Sequence, residues 1–210
     1  MPADLIHLVR HGEVENPDRV LYGRLPGFGL SALGHRMADV AAASLAGRPI
    51  VALAASPLQR TQESAAPWAK RFQLEVRLDE RLIEPNNRFE GLNLRKQLPR
   101  RPQDWPYLLN PIRPAWGEPF ASIARRMMLA VGDARSSVES GEVVLVSHQL
   151  PIWTVVRTVA GRSLAHDPRR RRCTLSSITT FAWRDERFVE VDYQEPAAEL
   201  LAESIDLGAV

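Results

Sequence analysis

The chain has 210 residues, 45% of them hydrophobic and 25% charged, with a formal net charge of +2; this is the composition of a single ordinary globular domain with a substantial core. The small positive excess suits an acidic small molecule and is too weak to point to nucleic acid. One cysteine, Cys173, excludes an intrachain disulfide, no apolar run approaches membrane-spanning length, and no signal peptide is evident, so a reducing cytoplasm is expected.

The apolar run Leu5-Ile6-His7-Leu8-Val9 predicts a buried strand that ends on Arg10-His11-Gly12-Glu13. Ligands of open α/β sheets sit beyond the carboxyl ends of strands. There Arg10 offers a phosphate-matching fork, His11 a nucleophile or acid/base, and Gly12 close backbone approach. A loop from Glu13 to Leu30 follows, with Pro17, Gly23, Pro26, Gly27 and Gly29. Gly27-Phe28-Gly29 lacks the lysine and hydroxyl residue of a Walker-type loop. Ser31 predicts an N-cap for a helix carrying Leu33, Met37, Val40 and Ala41 and stopping near Gly47.

Ile50 to Ala55 predicts a second parallel strand. Ser56, with Gln59 three residues on and Pro57 between, predicts a capping box opening the next helix. Arg60 then falls in the first turn, where a cation opposes the helix dipole and a bound anion would relieve it. A solvated arginine reaching past the turn is the other account. Leu74 to Leu78 alternates as a strand, and Asp79 to Gly91 is a polar loop with Asp79, Glu80, Glu84 and Glu90. Residues 92–119 carry six prolines and resist a long helix, predicting either a lid over the sheet edge or a surface excursion.

Phe120, Ile123, Met127, Val131, Ala134 and Val138 mark an amphipathic helix closed at Gly141. Val143 to Val146 is a third apolar strand, running into Ser147-His148-Gln149. An imidazole in that position serves either structure or catalysis. A helix over Pro151 to Val159 follows, then the basic run Arg169-Arg170-Arg171-Arg172, read as a solvated loop, with capture of an acidic substrate tail or partner as the second account. Ser177–Trp183 and Arg187–Tyr193 predict a hairpin at the sheet edge, and the tail from Glu195 reads as loosely held. No Cys/His spacing fits zinc.

Arg10, His11, Arg60 and His148 all fall at strand ends or helix starts. Two cations and two imidazoles around one point suit a phosphoryl group, whose charge spreads over its oxygens. In these motifs the chain resembles the histidine phosphatase superfamily, also called the phosphoglycerate mutase-like family. Arg10-His11-Gly12-Glu13 is similar to its signature and Asn16 to its asparagine; Leu30-Ser31 through Gly34 is similar to its leucine-serine segment. Ser56-Pro57-Leu58-Gln59-Arg60-Thr61 is similar to its second arginine motif, and Val146-Ser147-His148 to its second histidine. The likeness runs in order from Leu5 to Gln149.

The resemblance implies a three-layer α/β/α sandwich with a mostly parallel central sheet and an antiparallel strand at one edge, in a single domain over 1–210, within which the proline-rich segment 92–119 is the candidate lid or cover. It implies that His11 attacks phosphorus and becomes a phosphohistidine. Arg10, Asn16, Gly23, Arg60 and His148 would hold the phosphate, and Glu84 would serve as the acid, with Glu90 as its fallback. It implies no metal and no cofactor, a small phosphate ester as substrate, and neither nucleic acid nor membrane as partner; a homodimer stays open. Two departures stand out. Gln149 replaces a frequent glycine, which bears on substrate choice, and the loop Pro85–Gly91 is one residue short and lacks a glycine usual inside it. A phosphatase is the first expectation, a phosphoglycerate mutase the second, and a phosphate-sensing module without turnover the third.

Overall fold

A computed structural model describes residues 2–108 and 117–206. Its strands are β1 (Leu5–Arg10), β2 (Ile50–Ala55), β3 (Val76–Leu78), β4 (Glu142–Ser147), β5 (Ile178–Arg184) and β6 (Arg187–Gln194). Its α-helices are α1 (Ala32–Ser44), α2 (Gln59–Phe72), α3 (Leu94–Gln97), α4 (Phe120–Ser136), α5 (Gln149–Val159) and α6 (Ala198–Leu201).

The strands form one sheet in the order β3-β2-β4-β1-β5-β6. β1, β2, β3 and β4 run parallel, while β5 is antiparallel to both β1 and β6. The antiparallel strand thus lies one place in from the edge, and β6 closes the sheet. All six residues of β4 are buried, as are Ile6 to Arg10 of β1. That explains their unbroken apolar character, since a central parallel strand is covered on both faces. One face packs Ile6, Leu8, Val143 and Leu145 against Ile123, Met127, Ile152 and Val155 of α4 and α5. The other packs Val9, Leu53, Val144 and Val146 against Ala41, Ala42, Ala65 and Trp68 of α1 and α2. Three layers follow from two apolar sheet faces.

Ser31 caps α1 as predicted, accepting from the Gly34 N–H at 2.9 Å. Val40 does not face the core; alanines Ala38, Ala41 and Ala42 do, and let α1 lie close to the sheet. The capping box at α2 is a correction. The N-cap is Leu58, without a side-chain cap; the Ser56 N–H that a capping box would use donates to the Val146 carbonyl at 3.0 Å, and its hydroxyl lies 2.8 Å from His148 Nε2. Leu74 and Glu75 are not in β3, which is only three residues long. Of the lid segment, 92–108 forms α3 and two short 3₁₀ turns; Pro111, Pro114 and Trp116 lie outside the described residues. The tail is another correction. Ala197, Leu200 and Leu201 pack on Met37, Leu33 and Leu175, so it is tied down rather than loose.

His7, which breaks the apolar run of β1, has an interior partner. Its ring lies 2.9 Å from Glu142 Oε2 and 3.0 Å from Thr180 Oγ1, and Arg48 Nε donates to the same carboxylate at 2.9 Å. Burial disfavours the Glu142 charge, but the hydrogen bonds from Arg48 and His7 outweigh it and keep its pKa low. This cluster sits at the amino ends of the strands, away from the chemistry-bearing ends.

Candidate active site

Three neighbouring parallel strands, β2, β4 and β1, deliver their carboxyl ends side by side. Arg10 pairs in register with Ser147, and the His11 N–H donates to the Ser147 carbonyl at 3.1 Å. The residues that follow each strand therefore stand together. The rings of His11 and His148 meet edge to face with centroids 5.2 Å apart. Both are fully buried.

The His11 Nδ1 lies 2.7 Å from the carbonyl of Gly12. A carbonyl can only accept, so Nδ1 carries the proton and Nε2 keeps its lone pair. That Nε2 is buried without a partner among the described residues. Gly12 is small for a reason unlike close approach to a ligand: a Cβ there would come 2.4 Å from the Gly34 carbonyl at the start of α1. The signature glycine thus serves strand-to-helix packing.

Arg60 enters from the first turn of α2, as predicted, and is buried. Its Nη2 donates to the Gly23 carbonyl at 2.8 Å, and its guanidinium lies 4.8 Å from the centroid of the Tyr22 ring. Gly23 holds the arginine through its carbonyl rather than meeting an anion with it. Its φ of +40° favours glycine, and a Cβ would collide with Glu90. Glu84 is fully buried, with Oε2 3.6 Å from His148 Nδ1. Arg10 Nε, His11 Nε2, Arg60 Nε, His148 Nδ1 and both Glu84 oxygens are buried polar atoms with no protein partner among the described residues. Buried polar groups are normally satisfied. Four nitrogens and a carboxyl orphaned in this way make a candidate cage for an oxygen-rich anion.

The other acidic candidates are engaged elsewhere. Glu90 Oε1 accepts from the Arg24 and Asn87 N–H groups at 3.1 and 3.0 Å. Asp79 caps a 3₁₀ turn and pairs with Arg81. Glu80 is exposed. Asn16 is bound to its own loop: its amide donates one hydrogen to the Val20 carbonyl at 2.8 Å while its oxygen accepts from the Val20 N–H at 3.1 Å, and its second amide hydrogen is left over. It closes the loop after the signature. The arginine run also differs from expectation. Arg169 is exposed and pairs with Asp167. Arg171 turns inward to His166 Nε2 at 2.9 Å and the Gln149 carboxamide at 3.4 Å, and burial brings its pKa down to about 10. Ser56 was read from the sequence only as a helix cap, though it opens the second arginine motif; Tyr22 and Asp206 were not singled out, and nothing local marks them.

Burial, then the positive charges of Arg60 and Arg10, push the His11 pKa well below its ordinary 6.5. Burial, Arg60 and His11 do the same to His148. Burial raises Glu84 to about 7, against the opposing pull of Arg60, Arg171 and Arg10. The ligand-free site thus holds two neutral imidazoles and a carboxyl that keeps its proton near neutrality.

These shifts set a pH dependence of stability. His7, His11 and His148 stay neutral in the fold, but take up a proton below about 6.5 once unfolded. Their contribution is lost as pH falls through that value. Glu84 acts in the opposite direction between 4.5 and about 7, but it is one group against four, since burial lowers the His166 pKa as well. The melting temperature should therefore rise from pH 5 to pH 7. A flat or falling curve in scanning fluorimetry would mean the imidazoles are charged in the native state.

Comparison with known proteins places the fold in a family. An uncharacterized protein of Mycobacterium tuberculosis, Rv0525, is 52% identical over 204 residues, covering 94% of this chain and all of that protein. A probable phosphoglycerate mutase, GpmB, of Yersinia enterocolitica is 31% identical over 181 residues, covering 82% of this chain and 83% of its own length. The structure of the mycobacterial glucosyl-3-phosphoglycerate phosphatase Rv2419c superposes with a TM-score of 0.73 at 25% identity, covering 90% of this chain and 97% of that one. A family model, the histidine phosphatase superfamily (branch 1), matches residues 6–196. With that match spanning nearly the whole fold, the chain belongs to the histidine phosphatase superfamily.

Proposed function

We propose that this protein is a phosphatase that hydrolyses a small phosphorylated metabolite through a phosphohistidine on His11. The observation that carries this reading is the lone pair of His11 Nε2, buried and unpartnered beside the Nε groups of Arg10 and Arg60, Nδ1 of His148 and the protonated carboxyl of Glu84. His11 attacks phosphorus in line; the N–P bond forms as the P–O bond to the alcohol breaks. Arg10 and Arg60 hold the non-bridging oxygens. In this reading the Ser56 hydroxyl, 2.8 Å from His148 Nε2, is the donor of that bond, and Nδ1–H of His148 donates to the same oxygens. Such preorganised donors are worth roughly 3 kcal/mol each in the transition state.

Glu84 protonates the departing oxygen. As a carboxylate it then takes a proton from water, which attacks the phosphohistidine, releasing phosphate and restoring His11. Every charge that balances the phosphoryl group is a side chain, so no step calls for a metal or cofactor. The names of relatives support both a phosphatase and, in the Yersinia protein, a mutase. The same phosphohistidine serves either reaction; they differ in whether water or a second alcohol receives the phosphoryl group.

The test is turnover by the purified protein of nitrophenyl phosphate and a panel of phosphorylated metabolites, with chelator present. Phosphate release without any added bisphosphoglycerate supports the proposal. Isomerisation that depends on bisphosphoglycerate would establish the mutase instead, and phosphate binding without turnover would establish a sensing module.

A further inference from the structure

The tail approaches Arg10 through two contacts. The Ile205 N–H donates to Glu13 Oε1 at 2.6 Å, and the Asp206 carboxylate takes Arg10 in a bidentate grip, from Nη1 to Oδ2 and from Nη2 to Oδ1, each at 2.7 Å. Arg10 is fully buried, whereas the Asp206 side chain is one-third exposed. A guanidinium has five N–H bonds in one plane. Both hydrogens of Arg10 Nη1 are used, one by Asp206 and one by the Cys173 carbonyl at 2.7 Å. One hydrogen of Nη2 is used by Asp206. What remains is the Nε–H and the second Nη2 hydrogen, which lie on one edge of the fork. Nε is among the orphaned atoms of the cage. That edge is a second bidentate face, the kind that matches two oxygens of a phosphate.

We infer that Asp206 is a positioning residue for the phosphate-binding arginine: it grips the Nη1–Nη2 end of Arg10 and so presents the Nε–Nη2 edge to the substrate phosphate. The inference rests on the proposed function, in which Arg10 meets that phosphate. The carboxylate sits on the Nη1–Nη2 end of the fork, which leaves the Nε–Nη2 edge unspent. A buried arginine lacking this partner would keep its Cys173 contact and lose its orientation about the remaining torsions. Burial works against the Arg10 charge, and the Asp206 carboxylate more than offsets it.

The experiment compares the full chain with Asp206→Ala, Asp206→Asn and Asp206→Glu, reading inorganic phosphate affinity by calorimetry and kcat and KM on nitrophenyl phosphate. Loss of one oriented, charge-assisted contact predicts phosphate binding weakened about tenfold in Asp206→Ala and Asp206→Asn. KM should rise in parallel, with kcat changed about threefold or less and the melting temperature held. Asp206→Glu, which restores a carboxylate, should regain most of the affinity. Unchanged or tighter phosphate binding in Asp206→Ala would overturn the inference, tighter binding showing that the tail competes with phosphate. A fall in kcat and melting temperature with phosphate affinity intact would also overturn it, assigning Asp206 to the fold alone. Failure of the functional reading looks different: the unaltered protein would then neither bind phosphate nor turn over, and the inference would fall with it.

Discussion

His11→Ala lowers kcat for nitrophenyl phosphate by about 10⁴-fold or more, the scale on which removal of a nucleophile acts. At 1.36 kcal/mol per tenfold, that is about 5 kcal/mol of transition-state stabilisation. The size follows from the absence of a substitute. His148 is the second ring in the cage, but its Nε2 is held by Ser56 and its Nδ1 faces Glu84. Water replacing the ring would meet phosphorus without an oriented lone pair. The phosphate cage should survive, because Arg10 and Arg60 are held by Asp206, the Cys173 carbonyl and the Gly23 carbonyl rather than by His11. Inorganic phosphate should therefore still bind the variant. In the unaltered protein, rapid quenching should trap acid-labile, base-stable phosphate on the peptide carrying His11. Turnover by the variant near the original rate, or trapped phosphate on another residue, removes His11 from the mechanism.

Glu84→Gln should discriminate between leaving groups. A general acid contributes about 10²–10⁴-fold where the departing oxygen needs a proton. An alkyl phosphate should slow by about that much, whereas nitrophenyl phosphate, whose anion leaves unaided, should slow about tenfold or less. The pH profile carries the same signature. Glu84 keeps its proton up to about 7 in the ligand-free site, so kcat/KM for an alkyl phosphate falls above that pH. A bound phosphate dianion disfavours a second negative charge beside it, so the alkaline limb of kcat lies at higher pH than that of kcat/KM. Glu84→Gln should abolish the limb in both. Equal losses for the two substrates would shift the acid role away from Glu84.

Much of the fold was legible because it is local. Unbroken apolar runs at Leu5–Val9 and Val143–Val146 mark strands covered on both faces, and the Phe120–Val131 stripe marks a helix with one buried side. The four ordered motifs placed Arg10, His11, Arg60 and His148 at strand ends and helix starts, and parallel pairing of β1 with β4 brings the two rings together. Glu84 and Glu90 could not be separated by spacing; burial separates them. The Ser56 capping pattern was overridden by a tertiary partner 92 residues away. Asn16 was marked only by the signature; its two bonds to Val20 come from the way the following loop folds back. Arg171 and Asp206 carry no local sign at all, since a basic run and a mixed tail read as solvated until the chain folds them back.

The register between β1 and β4 has a wider consequence. The two imidazoles owe their separation to backbone pairing in the sheet, not to any connecting segment. Insertions in the segments after Glu13, Gly91 or Gly161 can reshape what surrounds the site without altering the distance between the His11 and His148 rings. Variation can therefore accumulate in the outer segments while the pair of rings stays fixed; under the proposed reaction, descendants would share one chemistry and differ in the alcohol they release.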